Sequence, residues 1–208
     1  MTDKAPSIAA KRPSIRWLPA LLCLVLLALA ACETPPPETR FPEMTFAHLG
    51  PIRLDVADIE LVEAHPPPLK HPNVEHLAPT SPADAMRRWA ADRLRATGGA
   101  GRAKLTIERA DIVETALKKT GGVRGLFTTD QSERYDATLE VVLEVRDDQG
   151  RRSGFAKARA SRSRTIAEDA SAADRDRLLF RLTEELMADI DRTLEENIRR
   201  HLASFLDQ

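Results

Sequence analysis

The chain is short of cysteine, aromatic residues and net charge, and each shortage removes a class of function. Two of its 208 residues are cysteines, and Cys23 lies inside the one long apolar run, so no disulfide framework is available to staple the fold. One tyrosine, two tryptophans and six phenylalanines leave the core to Leu, Ile, Val and Ala. The 31 basic and 32 acidic residues nearly cancel, without the basic excess that a nucleic-acid surface needs. Motifs of catalysis are missing too: there is no G-x-S-x-G elbow, no phosphate-cradling G-x-x-x-x-G-K, and no cysteine free to act as a nucleophile. The chain therefore reads as a non-enzyme without a cofactor. His65, His71 and His76, with Glu63 and Glu75 near them, lie on a proline-punctuated stretch without H-x-x-x-H spacing, so no metal site is assigned.

What is present begins at the N-terminus. Lys4, Lys11, Arg12 and Arg16 form a basic start, followed by an uncharged Leu/Ala-rich run from Trp17 to Ala31. As a helix that run spans roughly 22 Å, short of the roughly 30 Å hydrocarbon core of a bilayer. A cleaved signal, residues 1–31, fits better than a permanent span. The run ends in Leu29-Ala30-Ala31-Cys32, which resembles the lipobox of bacterial lipoproteins. Small residues suit a narrow signal-peptidase site, and the Cys32 thiolate can carry a thioether-linked diacylglycerol. The resemblance implies a triacylated Cys32, palmitate-like chains, and a membrane tether that a single acyl chain would not supply. Glu33, where Asp would favour retention in the inner membrane, points to the outer membrane with the domain in the periplasm. Cleavage removes four basic and one acidic residue, leaving a net charge of about −4. Residues 32–51, with Pro35, Pro36, Pro37, Pro42 and Pro51, read as an extended spacer.

Residues 52–208 are expected to form one α+β domain: a mainly antiparallel sheet of about four strands with two helices on one face, in the order β-α-β-β-β-α. A first strand over Ile52–Val62 carries a phase slip, read as a bulge, and is stopped by His65-Pro-Pro-Pro68. Ser81, Pro82 and Asp84 make a helix start, and Met86, Trp89, Ala90 and Leu94 its buried face. Arg87, Arg88, Asp92, Arg93 and Arg95 are placed on its other faces, and Gly98-Gly99 at its end. Strands follow over Lys104–Val113, with a phase change between Ile107 and Ile112, and over Ala137–Arg146 and Gly154–Ile166, the second and third joined by an Asp147–Gly150 turn. Ala156, Ala158 and Ala160 leave room for a close helix, while Lys157, Arg159 and Ser161 face solvent. A final helix over Ala172–Leu206 places Leu178, Leu182, Leu186, Ile190, Leu194, Ile198, Leu202 and Leu206 in a slowly winding stripe. Its first half should pack on the sheet; its last turns either close over the first helix and loops or engage a partner.

The stretch Lys118–Arg134 is far longer than a hairpin loop. Lys118, Lys119 and Arg124 make it basic, three glycines make it deformable, and Leu126-Phe127 are apolar. It is a candidate contact for a partner protein, anionic lipid or lipopolysaccharide; alternatively Leu126 and Phe127 fold back over the sheet edge.

Lipobox, proline-rich spacer and β-α-β-β-β-α order together resemble small envelope lipoproteins of Gram-negative bacteria, among them the ABC-transport auxiliary lipoproteins and the lipopolysaccharide-assembly lipoprotein. The resemblance implies a lipid-anchored accessory protein that scaffolds a transport or assembly complex. A lipid- or lipopolysaccharide-binding module, and a structural envelope lipoprotein without a transport role, are the alternatives.

Overall fold

Where the alternation slips after Val56, the chain makes two strands rather than one bulged strand. In the computed structural model, which describes residues 41–118 and 131–207, β1 is Ile52–Leu54 and β2 is Asp58–Glu63. The signal segment, Cys32, Lys119, Arg124, Leu126 and Phe127 lie outside the described residues. The break is a tight turn in which the Val56 amide donates to the Leu54 carbonyl at 2.8 Å. β1 then joins a separate two-stranded parallel sheet, and β2 enters the main one.

Helix α1, Pro82–Arg93, starts as its sequence predicts: the Ser81 hydroxyl accepts from the Asp84 amide at 3.1 Å. It ends earlier than Gly98-Gly99. Leu94–Ala96 leaves helical geometry to pair with β1 as β3, so tertiary strand pairing outweighs the helical pattern of Ala90 and Leu94. β4 (Arg102–Ala116), β5 (Gln131–Arg146) and β6 (Ser153–Ala167) follow, and α2 is Ala172–His201. The main sheet has the order β2-β4-β5-β6, with β2 parallel to β4 and the other pairs antiparallel. The phase change expected before Ile112 is a genuine bulge, a register shift between Ile107 and Arg109.

One face of this sheet is the core. Leu105, Ile107 and Ile112 of β4, Leu139, Val141, Leu143 and Val145 of β5, and Ala156 and Ala158 of β6 are buried beneath the helices. Each large aliphatic side chain removed from water contributes about 1.5–3 kcal/mol, which a fold without disulfides depends on. The small side chains of β6 let α2 lie close. A Cβ on Gly154 would come within 2.8 Å of Leu202 Cδ2, which measures how tight that approach is.

Helix α2 is capped by a reciprocal box between Ser171 and Asp174. The Asp174 carboxyl is pulled down to about 2, first by the Ser171 hydroxyl and then by Arg177. The predicted stripe is buried from Leu182 to Ile198, but the helix stops at His201 instead of reaching Leu206. Leu202 and Phe205 turn inward, the Phe205 carbonyl accepts from the Asp55 amide at 2.8 Å, and Leu206 bridges Leu54. The apolar end of the helix is thus spent on its own domain rather than offered to a partner.

The spacer expected to run to Pro51 gives way to folded structure by Phe41. Phe41 stacks on Phe180 of α2 at 5.0 Å, and Phe46 is buried. Asp92 accepts from the Phe46 amide at 2.7 Å and from the Thr45 hydroxyl at 2.9 Å, and the amide is the main reason its carboxyl sits below the usual range. Among the described residues no helix is long and apolar enough to cross a membrane.

Candidate interaction surface

Of the loop residues singled out in the sequence, Lys118 alone is described, and it is exposed. The loop leaves the sheet just after the Leu117 amide donates to the Ser132 carbonyl at 2.8 Å. Its root is held by three side chains. The Tyr135 hydroxyl donates to Glu133 at 2.6 Å, and Arg175 of α2 donates to both, at 2.8 Å to Tyr135 and 2.9 Å to Glu133. Burial and the adjacent carboxylate push the Tyr135 hydroxyl far up, so it stays a donor. The Tyr135 hydroxyl, then Arg175, hold the Glu133 carboxyl below its usual range.

A depressed carboxyl stabilises the fold above its unfolded value, and that contribution disappears as pH falls through the folded value. The gap in thermal midpoint between the native chain and Glu133→Gln is therefore expected to be largest at neutral pH and to close below about pH 4.5. Melting curves from pH 7 to pH 3 check this; a gap that does not change with pH contradicts it.

The sheet face away from the helices is polar and largely paired with itself. Lys104 meets Glu144 at 3.0 Å, Arg102 meets Asp58 at 3.3 Å, and Lys157 reaches Glu140 at 3.2 Å and Glu108 at 3.4 Å. One residue breaks the pattern. Phe155, on the same side as Lys157 and Arg159, is 62% exposed. It lines a cavity of about 550 Å³ with Glu144, Arg146, Lys157, Asn197 and His201.

That cavity opens at the free edge of β6. Asn197 of α2 donates to the Lys157 carbonyl at 2.7 Å, so this carbonyl points away from β5. Period-two geometry sends the outward backbone groups of Phe155, Arg159, Ser161 and Ser163 the same way. No neighbouring strand covers that edge among the described residues. Within β6 stand Lys157, Arg159, Arg162 and Arg164, with no Asp or Glu. All four are paired with carboxylates: Arg162 with Asp189 and Arg164 with Glu185 of α2, and Lys157 and Arg159 with Glu140 of β5. An edge strand whose outward backbone groups lack a partner strand is a template for another strand. Phe155 carried a signal in the sequence, as an aromatic in phase with Lys157 and Arg159. The free edge carried none, because strand order is a tertiary property.

The histidines do not converge. His71 lies 4.0 Å from Glu114, and no group of ligating side chains able to hold a metal occurs among the described residues.

No family model matches the chain, and no curated protein matches it. Among solved structures, rare lipoprotein B from Shewanella oneidensis is 13% identical, with 67% of this chain and 92% of that one covered and a TM-score of 0.35. PelC from Paraburkholderia phytofirmans, a dodecamer, is 13% identical, with coverages of 68% and 92% and a TM-score of 0.23. XCC0632 from Xanthomonas campestris is 15% identical, with coverages of 68% and 86% and a TM-score of 0.25. Likeness at this level leaves function to be argued from the chain's own residues.

Proposed function

We propose that the chain is a lipid-anchored accessory protein on the periplasmic side of a bacterial envelope membrane, the outer membrane rather than the inner, where it scaffolds a transport or assembly complex. The observation that carries the reading is the edge of β6, which no other described strand covers, with Phe155 exposed beside it, a surface suited to strand addition. The address comes from Leu29-Ala30-Ala31-Cys32.

Two measurements follow. The intact mass of the protein extracted from membranes is expected to match a chain beginning at Cys32 and carrying diacylglycerol plus one amide-linked acyl chain. An unmodified or uncleaved N-terminus rules out the anchor. A photo-crosslinking amino acid at Phe155, in cells, is expected to give one discrete adduct, while the same group at exposed Arg181 gives none. Equal labelling at both positions contradicts a partner on β6.

A further inference from the structure

At the opposite edge of the sheet a second recess has a different character. A cavity of about 300 Å³ lies between β2, the loop after it and the start of α1. Pro66, Pro67 and Leu69 give it an apolar wall, and Glu63, Glu75 and Asp84 supply three carboxylates against the single guanidinium of Arg87. Arg87 is already committed, at 2.5 Å to Glu63 and 2.6 Å to Asp84. Glu75 is not. It is 2% exposed; its Oε2 accepts from the Ile112 amide at 3.3 Å, and its Oε1 has no hydrogen-bond partner. A buried carboxylate oxygen left without a donor is destabilising, so a site that keeps one is a site that a donor can improve.

The rim adds an independent sign. Leu69 has a φ of 52°, in the left-handed region that a leucine adopts only at a cost, and it is 60% exposed there after three consecutive prolines. Leu77, two residues beyond Glu75, is 54% exposed. Apolar residues held outward around an acidic recess match a cation on an apolar stem with apolar neighbours.

We infer that this recess binds an arginine or lysine side chain presented by an extended segment of a partner polypeptide. The head would donate to Glu75, the stem would lie along Pro66 and Pro67, and the flanking apolar residues would cover Leu69 and Leu77. This contact depends on neither the lipid anchor nor the β6 edge.

The test uses the full chain in mild detergent and two fluorescein-labelled heptapeptides, one with a central Leu-Arg-Leu and the other with Leu-Gln-Leu. Fluorescence anisotropy is expected to show binding of the arginine peptide at least about tenfold tighter than the glutamine one. Glu75→Gln, which keeps an acceptor for the Ile112 amide, should remove that preference. Leu69→Ser, at an exposed position, should weaken the arginine peptide with no change in melting. Equal binding of the two peptides, no binding, or a preference that survives Glu75→Gln overturns the inference. Spermidine displacing the peptide at its own peptide-like affinity assigns the recess to small amines and overturns the polypeptide source. If Glu75→Gln fails to fold, the Leu69→Ser result with the two peptides decides the matter alone.

Discussion

Replacing Arg93 by methionine is expected to destabilise the domain by about 3 kcal/mol and to lower its thermal midpoint by about 10 °C. Arg93 is 1% exposed at the last turn of α1. Its guanidinium meets Asp191 at 3.2 Å and also pairs with Glu195, both on α2. The same group donates to the Leu49 carbonyl at 2.6 Å and to the Gly50 carbonyl, so one cation ties α1, α2 and the incoming N-terminal segment together. Trp89 adds its indole N–H to Asp191 at 2.7 Å. Burial alone would raise the Glu195 carboxyl, but Arg199 and Arg93 outweigh it and hold the group below its usual range. Methionine fills the space of the aliphatic stem, so the loss reports the charge and its hydrogen bonds rather than a cavity. Because the cost comes from carboxylates left without their partner, adding Asp191→Asn and Glu195→Gln should recover part of it. Thermal and urea unfolding followed by circular dichroism measure both effects. A loss under about 1 kcal/mol contradicts the role given to Arg93.

Arg93 also shows what was legible beforehand. Met86, Trp89, Ala90 and Arg93 share one helical face by spacing, so the arginine could have been placed inward. Its type argued for solvent, because a buried arginine needs partners that local sequence does not name. Those partners lie about a hundred residues away. The same limit explains the split of Ile52–Val62. Alternation marked the strands and their slip, but the separate sheet depends on Leu94–Ala96 leaving α1. The helix cap at Ser81, the bulge before Ile112, the β5–β6 hairpin and the small-residue face of β6 rest on local chemistry, and all were readable. The end of α2 was not: no glycine or proline stops it, and pairing of its tail with β1 does.

The largest functional effect is expected from a single proline on β6. At Ser161 the backbone N–H points away from β5, as the Lys157 carbonyl does, so Ser161→Pro removes a donor from the free edge and leaves the β5–β6 ladder intact. The side-chain loss is one contact, 3.2 Å to Thr138 on the solvent face. At Ala160, one residue earlier, proline removes a ladder bond to Leu139 and should unfold the edge, which makes it the control for direction. A strand added along β6 would need the Ser161 amide, and the ring would also stand in its path. Binding is therefore expected to fall by a factor of about ten to a hundred, for one lost bond and the steric block together.

Blue native electrophoresis of detergent-solubilised membranes from cells carrying either form tests this account most directly. The native chain is predicted to migrate in an assembly well above the mass of the processed lipoprotein alone. Ser161→Pro is predicted to run as the free lipoprotein, with a melting curve close to that of the native chain. A Ser161→Pro variant that stays folded and stays in the assembly contradicts a partner strand on β6, and with it the scaffold reading.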